Sequence, residues 1–494
     1  MIADIQFNNT FSSLPETFYK KVKPTPVKSP SIIILNTRLC EELNLQSEKL
    51  FTEQGTNLLS GNYIPKDASP ISMAYGGHQF GHWVPQLGDG RAILLGEINN
   101  KNDTKYDFQL KGSGITPYSR NGDGRSALGP VIREYLVSES MHYLNIPSTR
   151  SLSIVETGEY VMRDRILPGG ILTRVAKSHI RVGTFQYFFA KNDLVSLKIL
   201  KDYTINRYYQ KEIFGDKTSL NLLKLISEKQ AKLIALWQSI GFIHGVMNTD
   251  NTSIIGDTID YGPCAFMDNY DPSTCFSSID QNKRYAYKNQ PKVAQWNLAM
   301  LANSILPLIA EEMGSEAKAI KDAENIIYDF ENIYKSYYYN IFRNKIGLTK
   351  KKEEDISIIN ELLEIMYDEK LDFTSTFRNL SILLSKNKEI NKQNINLTNT
   401  KFRDWILKWK KRLTFEDLNI QKIITSLNKS NPSLIPRNHI IENIIEEASF
   451  NNNYEPLKTY EKFIHKPYDD KNIPIEFITP PRVINKNYKT FCGT

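Results

Sequence analysis

Residues 243–262 read IHGVMNTDNTSIIGDTIDYG, and they carry Asp250, Asn251 and Asp260 within eleven positions. Asp250 and Asn251 precede Gly256-Asp257, and Asp260 follows it. A Gly-Asp pair between two short β-rich runs is typical of a two-residue hairpin loop. Such a hairpin would bring Asp260 back beside Asn251. Because amide and carboxylate oxygens suit Mg²⁺ that is shared with substrate phosphates, the segment predicts a metal–phosphate site.

The same segment follows the spacing of the catalytic segment of protein kinases, with one exception. Kinases use H-R-D-x-x-x-x-N followed by D-F-G. His244 and Asn251 keep the seven-residue separation, and Asp260-Tyr261-Gly262 replaces D-F-G. Val246, however, occupies the position of the kinase catalytic base. The pattern therefore predicts a nucleotide–metal site without the residue that deprotonates a hydroxyl in ordinary phosphorylation, and His244 matches the structural histidine of kinases.

The composition is that of an ordinary soluble globular protein. The chain has 494 residues, of which 40% are hydrophobic and 24% charged, and this length allows two or three packed units. The net charge of +7 arises from 62 basic and 55 acidic residues, which suits an anionic ligand such as a nucleotide. Without a basic arm or an RNA-binding signature, it does not predict nucleic-acid binding.

The sequence also predicts where the protein resides. No run of eighteen or more apolar residues predicts a membrane span, and residues 1–11 lack the basic region of a targeting segment. Four cysteines in so long a chain do not form a disulfide framework, which favours a reducing compartment. We therefore expect a cytoplasmic protein of bacterial type, and nothing in the sequence requires more than a monomer.

The order of predicted elements gives the fold class. Pro24, Pro26 and Pro30 make residues 1–70 an irregular lead-in, and glycine-interrupted strands dominate 71–185. Ala92–Ile98 and Tyr106–Leu110 are predicted to pair, and a helix is predicted to begin at Pro130. Helices are predicted at residues 222–240, 294–312, 317–343, 356–367 and 402–412 and within 431–448, with Lys386–Lys401 as an exposed loop.

This layout predicts an α+β, protein-kinase-like two-lobed fold with a strand-rich N-lobe, a mainly helical C-lobe and a C-terminal helical extension. The predicted division is a lead-in packed on the lobes (1–70), a nucleotide-binding N-lobe (71–185), a C-lobe with the catalytic and metal-binding segment (186–300), and a helical C-terminal region (301–494).

Lys111 and Glu134 are a candidate ion pair of the nucleotide site. Lys111 ends a predicted strand and opens the glycine-rich KGSGITPYSR, and Glu134 lies on the first turns of the next helix. Kinases use a strand lysine and a helix glutamate to hold the phosphates. The alternative is a solvated lysine and a surface glutamate. Because Lys111 and Glu134 precede the segment 243–262 in the order found in kinases, the nucleotide interpretation is favoured over this alternative.

Glycine turns and arginines are the remaining candidates for phosphate binding. Two short motifs place a glycine beside an arginine, whose planar guanidinium offers several donors to a phosphate: Gly88-Asp89-Gly90-Arg91 and Asp123-Gly124-Arg125. Gly-Asp-Gly is, however, also a common hairpin turn. Arg174 and Arg181 suit bidentate phosphate contacts, and a surface strand with scattered arginines explains them equally well.

His78 and His82 in GGHQFGHW are four residues apart, which suggests a metal site. A catalytic zinc needs three protein ligands, however, and no cysteine or further histidine lies nearby in the sequence. The spacing therefore favours a packed or backbone-bonded role for these histidines.

Several longer strings together resemble the selenoprotein O family of protein adenylyltransferases, which have a pseudokinase fold. They are YGGHQFGHWVPQLGDGRAILLGE, QLKGSGITPYSRNGDGRSALGPVIREY, HGVMNTDNTSIIGDTIDYGPCAFMD, NPSLIPRNHIIE and FCGT. The resemblance covers nearly the whole chain.

The resemblance implies Mg²⁺-dependent transfer of AMP from ATP to Ser, Thr or Tyr hydroxyls of proteins, with Mn²⁺ as a possible substitute and pyrophosphate as the second product. It implies a nucleotide bound in the reverse orientation to that of kinases. It assigns Asp250 as proton acceptor, Asn251 and Asp260 as metal ligands, and Glu134 as partner of Lys111. The nucleotide-binding positions it implies are Gly88, Gly90, Arg91, Lys111, Asp123, Gly124, Arg174, Arg181 and Asp260.

Some members of the family carry selenocysteine near the C-terminus, where this chain has Cys492. A tail that folds back could bring Cys492 to Cys275 for redox regulation, although unpaired thiols are the simpler interpretation. Two other functions stay open on the sequence: a kinase-type phosphotransferase in which Asp250 is an unconventional base, and a non-catalytic nucleotide-binding scaffold.

Overall fold

Short runs rich in apolar residues recur in the first part of the chain and form one antiparallel sheet there. The computed structural model describes residues 5–385, 400–469, 471–483 and 488–490. The main sheet has the order β1-β3-β6-β7-β10-β9-β2, with β8 paired to β10. The strands are β1 Tyr19–Lys21, β2 Ser31–Leu35, β3 Ile71–Met73, β4 Gly77–Gln79, β5 His82–Val84, β6 Ala92–Asn99, β7 Lys105–Lys111, β8 Ser126–Ala127, β9 Arg150–Met162, β10 Ile166–Ala176, β11 Phe242–Ile243 and β12 Ala265–Phe266.

Helices dominate after β10, where apolar residues recur at helical spacing. Short 3₁₀ turns occur at Phe11–Ser13, Thr249–Asn251 and Tyr287–Asn289, and a π-turn at Ile205–Tyr209. The helices are α1 Thr37–Glu42, α2 Ser47–Leu50, α3 Glu53–Ser60, α4 Leu128–Tyr143, α5 Val182–Ala190, α6 Leu194–Thr204, α7 Thr218–Ser239, α8 Gln290–Met313, α9 Glu316–Lys345, α10 Glu354–Asp368, α11 Phe373–Leu384, α12 Thr400–Leu413, α13 Ile420–Ser430, α14 Asn438–Phe450, α15 Glu455–Ile464 and α16 Ile475–Ile478. The protein is thus a mixed α and β structure with an antiparallel sheet and many helices.

The prediction that the first seventy residues are irregular was wrong. β1 and β2 form the two edges of the main sheet, and α1–α3 cover one of its faces. The prolines lie in the connection between β1 and β2, where no ladder hydrogen bond is needed. Leu39, Leu50 and Leu58 are buried in one cluster with Phe108 of β7. This segment therefore completes the sheet.

Predicted strand pairing and helices were confirmed, with small shifts at their ends. β6 and β7 pair antiparallel, with Ala92 opposite Lys111. α4 begins at Leu128, two residues before the predicted Pro130, because Ala127 pairs with Gly169 of β10 and the chain enters the helix directly. Of the predicted loop Lys386–Lys401, residues 386–399 lie outside the described residues, while Thr400 and Lys401 open α12.

The other face of the sheet is covered by helices that are far apart in sequence. Tyr135 and Leu136 of α4 are buried together with Ile441 of α14 and Tyr460 of α15, against Ile154 of β9. The C-terminal helices α14 and α15 therefore support the same helix that carries Glu134.

One helix among the described residues, Tyr287–Met313, is long and apolar enough to cross a membrane. More than half of its apolar window, 56%, is buried inside the protein, as in the core helix of a soluble protein. Leu298, Leu301 and Ile305 on it are fully buried in the largest core cluster.

Candidate active site

The segment 243–262 reverses direction, but not through the predicted hairpin. Ile254-Ile255 and Thr258-Ile259 do not pair with each other, although the chain turns at Gly256, whose φ is 78°. Ser253 instead pairs with Arg181, and Thr258 with Ser148. Both runs are short, and the neighbouring strand ends offer their backbone groups better partners. The reversal comes from a wider hairpin, in which Phe242 of β11 lies opposite Phe266 of β12.

His244 joins the two arms of this wider hairpin. Its Nε2 lies 2.8 Å from the carbonyl oxygen of Ile259, and its Nδ1 accepts from the main-chain N–H of Val246 at 3.3 Å. These partners fix the tautomer with hydrogen on Nε2. Burial lowers the pKa of His244, and its ring stacks on Trp237 at 5.3 Å. The histidine is a structural support, as predicted from its position.

Lys111, Glu134, Arg174 and Asp260 form one buried ion-pair network. Lys111 Nζ donates to Glu134 at 2.5 Å, and the guanidinium of Arg174 donates to Glu134 and to Asp260, each at 2.7 Å. Lys111 also lies 3.5 Å from Asp260. The predicted pairing of Lys111 with Glu134 is therefore present, and the surface alternative for Arg174 is wrong because its side chain is only 2% exposed.

The network keeps both acids ionised. Burial alone would raise the pKa of Asp260, but Arg174, Lys111 and Arg181 outweigh it and hold that pKa well below its ordinary value. Burial also opposes ionisation of Glu134, whose pKa is lowered by Arg174 and Lys111. Asp260 has a φ of 63°, a left-handed conformation that aspartate tolerates better than most residues. An ionised carboxylate is the form that a metal requires.

Arg181 precedes α5 and reaches both arms of the hairpin. Its guanidinium donates to the main-chain carbonyl of Asp250 at 2.9 Å and lies 3.4 Å from the carboxylate of Asp260. The guanidinium carbon sits 4.3 Å above the centre of the Tyr75 ring. Arg181 is buried, so the surface alternative is wrong for this residue as well.

Asp250 is a buried carboxylate with one oxygen left unpaired. Its Oδ2 accepts from the amide of Gln79 at 3.1 Å, while its Oδ1 has no hydrogen-bond partner among the described residues. Burial raises the pKa of Asp250 to about 6, although the Gln79 hydrogen bond opposes the rise. A carboxylate with a pKa near the working pH suits proton transfer.

Asn251 is oriented by the residue at the kinase-base position. Its side-chain nitrogen donates to the carbonyl oxygen of Val246 at 3.0 Å, which leaves its Oδ1 as the possible ligand oxygen. Val246 is buried and lines the same cavity as Asn251. An amide oxygen and the ionised carboxylate of Asp260 are a donor set that fits Mg²⁺ or Mn²⁺ beside phosphates.

The turn Gly88–Arg91 leads into β6 and does not form a simple hairpin. The carbonyl of Asp89 accepts from the hydroxyls of Ser72 and Thr116, at 2.8 and 2.7 Å. Gly88 has a φ of 75°, and a Cβ there would lie 2.3 Å from the Tyr118 ring. The turn is thus pressed against the loop that follows β7, and this close approach requires glycine.

The second predicted turn, Asp123-Gly124-Arg125, is held in place by the connection between β9 and β10. The carboxylate of Asp123 accepts two donors from Arg163, at 2.9 and 3.0 Å. A Cβ on Gly124 would lie 2.0 Å from the carbonyl of Gly114. Arg163 lies between β9 and β10, so this connection anchors the turn.

All of the residues predicted to bind nucleotide or metal, together with Asp250, line one cavity of about 570 Å³. Cations outnumber carboxylates along its wall. The basic residues that line it are Arg91, Lys111, Arg120, Arg125, Arg163, Arg174 and Arg181, and the acidic ones are Asp89, Asp123, Asp250 and Asp260.

The sequence did not single out Gln79, Tyr75 or Arg163, which contact Asp250, Arg181 and Asp123. Gln79 and Tyr75 lie in the string YGGHQFGHW, in which only the two histidines were considered individually. His78 has the packed role predicted for it: its Nδ1 accepts from Gln186 at 2.8 Å, and its ring lies 5.1 Å from the rings of both Trp83 and Trp296. His82 is exposed on β5.

The end of the chain returns to the hairpin, as the redox hypothesis requires. Thr490 pairs with Ser277 and donates through its hydroxyl to the carbonyl of Pro263 at 2.6 Å. Cys275 is buried, and burial together with Asp280 raises its pKa to about 11. Cys492 lies outside the described residues, so both its pairing with Cys275 and the simpler interpretation of unpaired thiols stay hypotheses.

Comparison with known proteins identifies the family of this chain. A family model described as "Protein adenylyltransferase SelO" matches residues 1–465. Protein nucleotidyltransferase YdiU of Bradyrhizobium sp. strain ORS 278 is 47% identical over 494 residues, with all of both chains covered. The proteins of that name from Maridesulfovibrio salexigens and Anoxybacillus flavithermus are 46% and 45% identical over 495 and 497 residues, covering all of this chain and at least 99% of theirs. The chain therefore belongs to the SelO family of protein adenylyltransferases, a family of nucleotidyltransferases that act on proteins.

Proposed function

We propose that this protein transfers AMP from ATP to the hydroxyl of a Ser, Thr or Tyr side chain of another protein. The single observation that carries the proposal is that the predicted base, metal ligands and nucleotide-binding residues all line one cavity. Family membership supports the same reaction.

The proposed architecture is the two-lobed arrangement of protein kinases. The main sheet with α4 supplies the Lys111–Glu134 pair, and the β11–β12 hairpin supplies Asn251 and Asp260. The proposed units are residues 1–70, 71–185, 186–300 and 301–494, with the first completing the sheet and the last supporting α4 through α14 and α15. We also propose a cytoplasmic monomer that binds neither nucleic acid nor membrane.

In the proposed reaction the acceptor hydroxyl oxygen attacks the α-phosphorus of ATP. A new O–P bond forms, the bond between the α-phosphorus and the bridging oxygen breaks, and pyrophosphate leaves with that electron pair. The hydroxyl proton passes to the carboxylate of Asp250. Val246 cannot accept a proton, and the unpaired Oδ1 of Asp250 can.

The cations that line the cavity would bind a triphosphate in the reverse orientation to that of kinases. Arg174 is buried and Lys111 half-buried beside Asp260, and Arg181 is buried beside Asp250. Preorganised charges in a site that excludes water stabilise phosphoryl charge strongly. Gly88, Gly90, Arg91, Asp123 and Gly124 are proposed to contact the nucleotide from the two turns.

Asn251 and Asp260 are the residues that would hold Mg²⁺, or Mn²⁺ in its place. Bound there, the cation would neutralise charge on the phosphates as pyrophosphate leaves. Asp260 also accepts from Arg174. Its carboxylate therefore has to serve a metal and a guanidinium at once, which two oxygens with several lone pairs allow.

ATP radioactively labelled at either the α- or the γ-phosphate tests the proposal. The purified chain is incubated with each label, Mg²⁺ and candidate acceptor proteins, and protein-bound label is measured. We expect α-label on protein and none of the γ-label. Transfer of the γ-label alone would show a kinase, and binding of ATP without transfer of either label, with Mg²⁺ or Mn²⁺, would show a scaffold.

A further inference from the structure

We propose that an open groove beside the nucleotide cavity binds the acceptor protein and selects a hydroxyl that is flanked by acidic side chains. This inference rests on the proposed function and names its substrate class. The groove, called here the acceptor groove, has a volume of about 610 Å³. It lies between the tip of the β4–β5 hairpin, the loop 279–289 and the first turns of α8, and its lining includes Phe80, His82, Ile279, Arg284, Lys292 and Trp296.

The acceptor groove is continuous with the nucleotide cavity on the side of Asp250. Phe80 and Ile279 line both. The main-chain N–H of Phe80 lies 3.1 Å from the side-chain oxygen of Asn248, two residues before Asp250. Gln79, the neighbour of Phe80, donates to Asp250 at 3.1 Å. A polypeptide bound in the groove would therefore be separated from Asp250, the proposed base, by no more than one side chain.

The charges that face the groove are positive. Arg284 and Lys292 line it, whereas the one carboxylate in its lining, Asp280, is buried. Asp280 accepts from the main-chain N–H groups of Arg284 and Tyr285, at 2.9 and 2.8 Å. Hydrogen bonds within the loop thus stabilise the negative charge of Asp280.

Lys292 stands at the third position of α8, where the helix dipole adds to its positive charge. Glu331 of α9 is close enough to Lys292 for the two charges to interact, but it is paired with Lys335 at 2.7 Å. Lys292 itself is exposed.

Arg284 is held rigidly at the other side of the groove. Its guanidinium carbon lies 4.8 Å above the Trp296 ring and faces Gly81, where a Cβ would stand 3.6 Å away. Its buried Nε has no hydrogen-bond partner among the described residues. Arg284 nevertheless lines the groove, where the guanidinium can donate to a carboxylate of a bound segment.

Ile279 adds an apolar contact at the junction of groove and cavity. Its side chain is 60% exposed, although it stands next to buried Asp280. A single exposed apolar side chain is ordinary, but Ile279 lines both the groove and the nucleotide cavity, where an apolar part of a bound segment would cover it. Apolar contact with charges on either side suits an extended acidic segment better than a small ligand.

Peptide binding tests the groove without requiring turnover. Fluorescent peptides carry one Tyr flanked by Glu, Ala or Lys, and their affinity is measured by anisotropy with Mg²⁺ and a non-hydrolysable ATP analogue present. We expect wild-type protein to bind the Glu-flanked peptide best. Lys292→Glu should weaken that peptide by about fivefold, as reversal of one exposed charge does, and should strengthen the Lys-flanked peptide.

The matched control is Lys288→Glu, because Lys288 is an exposed lysine of the same region that does not line the groove. It should leave the peptide preference unchanged, and neither variant should alter nucleotide affinity. Equal binding of all three peptides, or equal effects of the two variants, would overturn the inference. Labelled ATP separates this outcome from failure of the proposed function. If α-label is transferred to protein but the acidic peptide is not preferred, only the inference about the groove is wrong. If no α-label is transferred to any protein, both the inference and the proposed function are wrong.

Discussion

The guanidinium of Arg181 donates to the main-chain carbonyl of Asp250 at 2.9 Å. The same side chain lies 3.4 Å from the carboxylate of Asp260, so it ties together both arms of the segment that carries the proposed base and metal ligands. Arg181 thus positions the site in addition to its proposed contact with nucleotide.

Replacement of Arg181 by lysine should therefore lower AMP transfer strongly. A lysine has a single donor group and cannot reach Asp250 and Asp260 together. We expect Arg181→Lys to lose at least about tenfold in the single-turnover rate of α-label transfer. Arg165→Lys, at an exposed arginine, should behave as wild type. Equal rates for the two variants would show that Arg181 does not position the site.

The Lys111–Glu134 pair can be tested by its coupling. Breaking a buried ion pair from one side costs about 3–5 kcal/mol because the other charge stays buried. Glu134→Gln should accordingly lower the free energy of unfolding and weaken ATP binding. The pair Lys111→Met and Glu134→Gln should be less destabilising together than the sum of the two single variants. Urea unfolding and calorimetric ATP titration provide the two measurements, and additive effects would argue against direct coupling.

Asn251 should control the metal requirement. Its side-chain oxygen is the proposed ligand, so Asn251→Ala should reduce the rate of transfer by about 10²–10³ and raise the Mg²⁺ concentration for half-maximal rate. Asn251→Asp keeps an oxygen in that position and should retain more activity at high Mg²⁺. If the Mg²⁺ titrations of wild type and Asn251→Ala have the same midpoint, Asn251 is not a ligand.

Lys345 makes stability depend on pH. Burial lowers its pKa from 10.5 to about 7, and its nearest aromatic ring is Phe377 at 4.4 Å. Between these pH values the unfolded chain binds a proton that the folded chain does not. The contribution of this lysine to stability therefore rises with pH in that window.

Lys345→Met should be more stable than wild type at pH 7, and its advantage should shrink by up to about 1.4 kcal/mol per pH unit as the pH rises toward 10. Urea unfolding at several pH values measures this difference. The exposed Lys351 supplies the control, since Lys351→Met should leave the pH dependence as it is in wild type. A constant difference between Lys345→Met and wild type would show that Lys345 stays charged in the fold.

Local patterns predicted much of the fold. The strand-like runs at 92–98 and 106–110, the turn-prone residues between them and the apolar stripe of α7 each lie within a single segment of sequence, and those elements form as expected. The edge strands β1 and β2 could not be predicted in this way. Their stability comes from partners β3 and β9, which are distant in sequence, and nearby prolines hid the signal.

In the candidate site, too, local features could be predicted from the sequence and long-range contacts could not. Sequence order predicted that Lys111 would meet Glu134, and the family resemblance assigned nucleotide, metal and catalytic roles to residues that line the cavity. It did not predict the route of the chain around Asp260, because Ser253 and Thr258 pair with Arg181 and Ser148 instead of each other. Contacts such as Gln79 with Asp250 also depend on tertiary packing, for which one sequence contains no periodic signal.

The return of the chain end to Pro263 bears on how the enzyme matures. Arg437 is fully buried between Asp268 and Asp372, Asn438 donates to the backbone of Phe266 at 2.9 Å, and Thr490 reaches Pro263. Asn438 and Thr490 follow the residues that they brace by 172 and 227 positions. A nascent chain that has reached only β12 therefore lacks the braces of its own β11–β12 hairpin, and the site is completed only after α14 and Thr490 have been synthesised.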